Sequence, residues 1–149
     1  MFATLMLLAT APATLAQAPL QPWAALVGHC FVGPAPVDGG TDRHCFEALY
    51  GGQHVRDRHV VTMGGKDVYA GESVYSAKGS QVIFTYWNSL GGLGTGTASV
   101  GGGEWRFSGT IHATASGDEQ PMTATWKMVP GGYQIIEGSD PPRLLKRAD

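Results

Sequence analysis

Two dipeptides recur fifteen residues apart, His29-Cys30 and His44-Cys45. Two thiolates and two imidazoles are the donor set of a tetrahedral zinc site. Strand geometry argues against that use. Neighbouring residues on a strand point to opposite faces. If Cys30 meets Cys45 across a hairpin, His29 and His44 lie on the other side, and one ion cannot gather all four. The cysteines, the only two in the chain, read instead as a disulfide. The same register puts His29, Phe31, His44 and Phe46 on one face. Two imidazoles beside two aromatic rings would make a polar spot in an apolar pocket, or hold a haem or metal ion. The plainer alternative is that both histidines satisfy local hydrogen bonds or face solvent.

The run His54-Val55-Arg56-Asp57-Arg58-His59 is the second place with chemical content. Alternation sets His54, Arg56 and Arg58 on one face and Val55, Asp57, His59 and Val61 on the other. Turned outward, the arginines are a solvated face. Turned inward, Asp57 and His59 bring a carboxylate beside an imidazole, a pair able to bind a ligand head group or to act as acid and base. Catalysis finds little else. No nucleophile elbow, zinc-protease helix, P-loop or dinucleotide fingerprint occurs. The pattern asks for no cofactor and no resident metal.

These residues need elements to position them, and glycine marks where those elements end. Paired or tripled Gly falls at Gly39-Gly40, Gly51-Gly52, Gly64-Gly65, Gly91-Gly92, Gly101 to Gly103 and Gly131-Gly132. Between them lie short runs rich in Val, Thr, Tyr, Trp and Phe, which suit a pleated surface. Strands are expected over Leu26 to Gly33, Arg43 to Tyr50, His54 to Met63, Val68 to Ser76 and Gln81 to Ser89. Further strands are expected over Thr95 to Val100, Trp105 to Thr114, Met122 to Val129 and Tyr133 to Glu137. Thr95 to Val100 is the weakest, diluted by Gly94 and Gly96. Asp140-Pro141-Pro142 ends regular pairing, and the tail from Arg143 either frays or is pinned as a short last strand by Leu144-Leu145.

Alternation is clearest late in the chain. Trp105, Phe107, Gly109, Ile111 and Ala113 share a face, and so do Met122, Ala124, Trp126 and Met128. One face of each strand then meets an apolar interior and the other meets water. Such strands joined by tight turns suit an antiparallel up-and-down meander barrel of about eight to ten strands, which also removes exposed edges.

Several segments carry a family resemblance. Trp23 with Leu26-Val27-Gly28 opens the domain. Gly71 to Ser76 follows, then Gln81 to Tyr86 running into Trp87-Asn88-Ser89, then Gly101 and Trp105 to Gly109. In order and spacing this resembles the lipocalin-like, calycin-type barrels of uncharacterised bacterial proteins. Ser76 and Asn88 stand where that pattern has acids. The resemblance implies a β-barrel with an internal pocket, and no established activity.

Composition bounds the partners. The chain has 149 residues and a net charge of -2, so it lacks the basic footprint of a nucleic-acid binder. Leu5 to Ala16 is almost wholly apolar and runs into small residues around Ala16-Gln17-Ala18, the pattern of a secretory signal peptide over 1–18. No Lys or Arg stands near Met1, and Ala16/Gln17 rivals Ala18 as the cleavage point. About 130 residues follow, from 19 to 149, enough for a single domain around one core. No transmembrane span is expected, and the protein is expected to be periplasmic or secreted.

The favoured expectation is binding of a small apolar or amphipathic molecule inside the barrel. Trp105, Phe107, Trp126 and Met128 would supply apolar contact, and Tyr75, His59 or His44 would orient a polar group. A filled aromatic core is the competing use of the same rings. The rival functions are an enzyme using Asp57 and His59, and an envelope protein that binds a protein partner through its outer face or its tail from Arg143.

Overall fold

The computed structural model describes residues 14–149. Residues 1–13, and with them most of the expected leader, lie outside that range.

Ten antiparallel strands form one closed barrel. They are β1 Cys30–Pro34, β2 Gly40–Leu49, β3 His54–Met63, β4 Lys66–Lys78 and β5 Gln81–Asn88, then β6 Gly91–Gly101, β7 Glu104–Thr114, β8 Gln120–Val129, β9 Gly132–Glu137 and β10 Arg143–Arg147. Each strand pairs with its sequence neighbours. β10 then closes the circle on β1, with Phe31 opposite Arg147 and Val32 opposite Lys146. The fold is the all-β meander expected from the alternation. The tail from Arg143 is a wall of the barrel, paired on both sides, rather than a free arm.

The glycine pairs mark turns as expected, with positive φ at Gly51, Gly52, Gly64, Gly65, Gly102 and Gly103. β6 is the exception to the reading that glycine weakens a strand. It begins at Gly91 and pairs along its length with β7, where Gly96 lies opposite Gly109. A Cβ at Gly109 would run into the Thr95 carbonyl, and one at Gly96 would lie 2.8 Å from the Phe84 ring. These glycines permit a close approach of two backbones and leave room for an inward ring.

One end of the barrel is plugged. A 3-10 helix, Ala18–Ala25, presents Leu20 and Trp23, which with Leu26 and Leu15 are almost completely buried. Trp23 packs on Tyr75 and Trp105 at ring-centroid distances of 5.2 and 6.1 Å. Burying each large apolar side chain is worth roughly 1.5–3 kcal/mol. The Ala16 amide donates to the Gly52 carbonyl at 2.9 Å and ties the segment to the β2–β3 turn. Leu15 and Ala16 precede the expected cleavage point at Ala18, yet both belong to this plug.

The outer wall is polar along much of its length. Arg56 pairs with Glu47, and both Arg56 and Arg58 approach Glu72. Arg106 and Lys127 meet Glu104. Among the described residues, no helix is long and apolar enough to cross a membrane.

Candidate functional site

The half of the barrel opposite the plug contains a cavity of about 510 Å³. Its lining comes from the ends of strands: Asp42 near the start of β2, Val61 and Met63 at the end of β3, Tyr69 on β4, Ile111 on β7, Met122 on β8, and Glu137 and Arg143 on β9 and β10. Most of this wall is apolar. The charged side chains gather on β2 and β3 and, across the short β1, on β9 and β10.

Strand geometry explains that gathering. Asp42 and His44 are two apart on β2, so they share the inner face. His44 lies directly opposite His59 on β3, and Asp57 is two before His59. Four titratable side chains therefore converge on one patch. Asp42, His44 and Asp57 are buried at 2%, 5% and 3% exposure. Buried charges persist only when paired and hydrogen-bonded.

His44 is held between two carboxylates. Its Nδ1–H donates to Asp57 at 2.9 Å, and its Nε2–H donates to Asp42 at 3.2 Å. Burial by itself would push His44 down. The negative charge of Asp57 and the hydrogen bonds to Asp42 and Asp57 outweigh it, so His44 is raised to about 10. Asp42 shows the mirror effect. Burial pushes it up, but hydrogen bonds from His44 and His59 and their charges win, and its carboxyl is held far below the usual carboxylate range. His59 Nδ1–H donates to Asp42 at 3.3 Å, and its ring stacks on that of His44 with centroids 4.8 Å apart. Arg143 completes the patch, donating to Asp42 at 3.2 Å, to Glu137 at 3.0 Å and to the Pro34 carbonyl at 2.9 Å.

Two tyrosines close the edge of the patch. Tyr69 and Tyr86 are hydrogen-bonded to each other, and the Tyr86 hydroxyl lies 3.5 Å from His59 Nε2. Burial, then the bond to Tyr69, pushes the Tyr86 phenol well up, so it stays neutral. Tyr75 is likewise pushed up by burial and then by the charge of Asp57. Gly71 makes this crowding possible. It faces His59 across β3–β4, and a Cβ there would overlap His59 Nε2 and sit 2.7 Å from the Tyr86 oxygen.

The expected site residues divide by depth. His44, His59, Tyr75, Phe107 and Trp126 all line the cavity. Trp105 faces inward but packs beneath, against Trp23, and Met128 sits at the plugged end beside the strand partner Tyr133. Cys30 and Cys45 are opposite each other and disulfide-bonded. His29 does not join His44. It precedes β1, and its Nδ1 lies 2.9 Å from the Asp149 carboxylate. Asp57 and His59 do face inward, but they do not pair with each other. Asp57 bonds His44, and the carboxylate nearest His59 is Asp42.

Sequence patterning does not single out Asp42, Arg143, Tyr86 or Gly71 as site residues. Asp42 falls one residue before the expected second strand, which hides the face it shares with His44. Arg143 reaches the patch only because β10 closes the barrel. No family model matches this chain, and no curated protein matches it.

Proposed function

We propose that the protein is an exported, lipocalin-like carrier or sensor that holds a small amphipathic molecule in the open half of its barrel. The observation that carries this reading is the division of the cavity wall. Phe107, Trp126, Ile111, Met122 and Val61 offer an apolar surface, while Asp42, His44, His59, Arg143 and the tyrosine pair concentrate the polar groups on one side. A molecule with a hydrophobic body and one polar end matches that division. Pockets of about 300–1,000 Å³ with few convergent polar groups are the usual size and chemistry of small-ligand sites.

The mouth supports the same reading. Val37, Met63 and Val68 line it and are exposed at 49%, 37% and 50%. An apolar rim lowers the cost of passing a hydrophobic molecule from a micelle or membrane into the lumen. Tyr75, His59 and His44 orient the polar end, and Phe107 and Trp126 contact the body. Trp105 packs on the plug instead, and Met128 packs against the core away from the cavity wall. Export is supported by the apolar run Leu5 to Ala16 and by the disulfide, which persists in oxidising compartments.

The test is a fluorescence titration with anilinonaphthalene sulfonate, a dye with an apolar body and an anionic end. Saturable one-to-one enhancement with quenching of tryptophan emission is expected, because Trp126 lines the cavity. If the dye and a panel of fatty acids and lysolipids leave both signals flat, the reading fails.

A further inference from the structure

We infer that Asp42, His44 and His59 form a divalent transition-metal site, zinc by its donors, at the wall of the cavity. This departs from the sequence expectation that no metal is held. The geometry that rules out the His-Cys set brings these three together: Asp42 and His44 share a face two residues apart, and His59 is the cross-strand partner of His44. One donor atom from each lies within 4.8 Å of the other two. A tetrahedral ion with ligands at about 2.0–2.1 Å sets its donors about 3.3 Å apart. Each imidazole already has one such edge to the Asp42 carboxylate, His59 Nδ1 to Oδ1 at 3.3 Å and His44 Nε2 to Oδ2 at 3.2 Å. Rotation of the carboxylate and of the stacked rings brings the three donors, within 4.8 Å of one another, onto one ion.

The surroundings of the triad point the same way. The Asp57 carboxylate grips His44 Nδ1 with both oxygens, at 2.9 and 3.1 Å, and thereby aims Nε2 at Asp42. A carboxylate behind a histidine is the usual outer support of a metal ligand, fixing its tautomer and orientation. Charge also matches. Asp42 and Asp57 balance a dication, while Arg143 on Asp42 Oδ2 is balanced by Glu137, leaving Oδ1 on the His59 side for the ion. On binding, His44 gives its Nε2 proton to solvent and keeps Nδ1–H on Asp57, while His59 takes the tautomer with its hydrogen on Nε2, beside the Tyr86 hydroxyl, which frees the Nδ1 lone pair. All three ligands line the cavity, so the fourth position faces the lumen and is open to a water or a ligand's polar group.

The inference stands apart from the amphipathic-ligand reading, since dye binding probes the apolar wall and metal spectroscopy probes the imidazoles. The experiment titrates chelator-dialysed protein with Co²⁺ and then Zn²⁺. One Co²⁺ per chain with the visible absorption of a four- or five-coordinate site is expected, bleached by stoichiometric Zn²⁺. X-ray absorption on the zinc-loaded wild type should count two imidazoles, a readout that needs no variant. His59→Ala, at the accessible edge of the patch, should weaken binding at least tenfold, while His29→Ala and His112→Ala leave it unchanged. Substoichiometric binding, fewer than two imidazoles, or equal affinity in a folded His59→Ala protein would overturn the assignment.

Discussion

Gly71 contributes to the site by lacking a side chain. His59 and Tyr86 occupy the space its Cβ would take. Gly71→Ala should therefore force His59 off its present position and cost about 1–3 kcal/mol, the usual range for overpacking. The checks are the denaturation midpoint and the His59 ring resonances. An unmoved ring with unchanged stability would mean the strand yields instead. Asp57 supports His44 in a different way. Asp57→Asn keeps the shape but leaves a buried imidazolium with one carboxylate fewer, and should cost about 3 kcal/mol in urea unfolding. A loss within about 0.5 kcal/mol, the range of an ordinary surface change, would show that His44 does not carry a charge there. Alternation places Asp57 and His59 on one face, and the burial of Asp57 shows that face to be the inner one. Their true partners are not legible in the sequence, because Asp42 stands just outside the expected strand and cross-strand register depends on a disulfide and a turn together.

Elements were easier to read than contacts. β3 spans His54–Met63 as expected, and β7 and β8 alternate as their sequences do. Alternation fixes which face a side chain takes, but it says nothing of depth along the barrel axis. Trp105 and Phe107 share a face, yet one meets the plug and the other the cavity. Propensity alone understates β6, because Gly96 and Gly109 serve the close approach of two strands. The sequence leaves β10 open between a strand and a frayed tail, because its partner β1 lies more than a hundred residues away. The disulfide joins β1 to β2 beside that closing seam. With a separation of 15 residues, its loss in a Cys30→Ser, Cys45→Ser protein should cost roughly 3 kcal/mol. Chemical denaturation compared with wild type reads this directly. Equal midpoints would place the stability of the seam in the β1–β10 ladder instead.

The whole molecule has a polarity that neither residue nor element shows alone. One end is filled by Leu15, Leu20, Trp23 and Leu26, and the other keeps a cavity whose ionisable groups sit on one side beneath an apolar rim. Ten strands close the barrel and leave a lumen at the end opposite the plug. Ala124 lines that lumen, with Phe107 as its partner on β7 and Glu137 on β9. The most direct measurement is a native mass spectrum of the protein purified from its own host, beside the same spectrum of Ala124→Phe. Wild type should carry one small-molecule adduct per chain, released at modest collision energy, and the filled variant should fly bare with its fold intact. A bare wild-type chain that also stays bare after incubation with fatty acids and lysolipids would contradict a ligand-holding barrel.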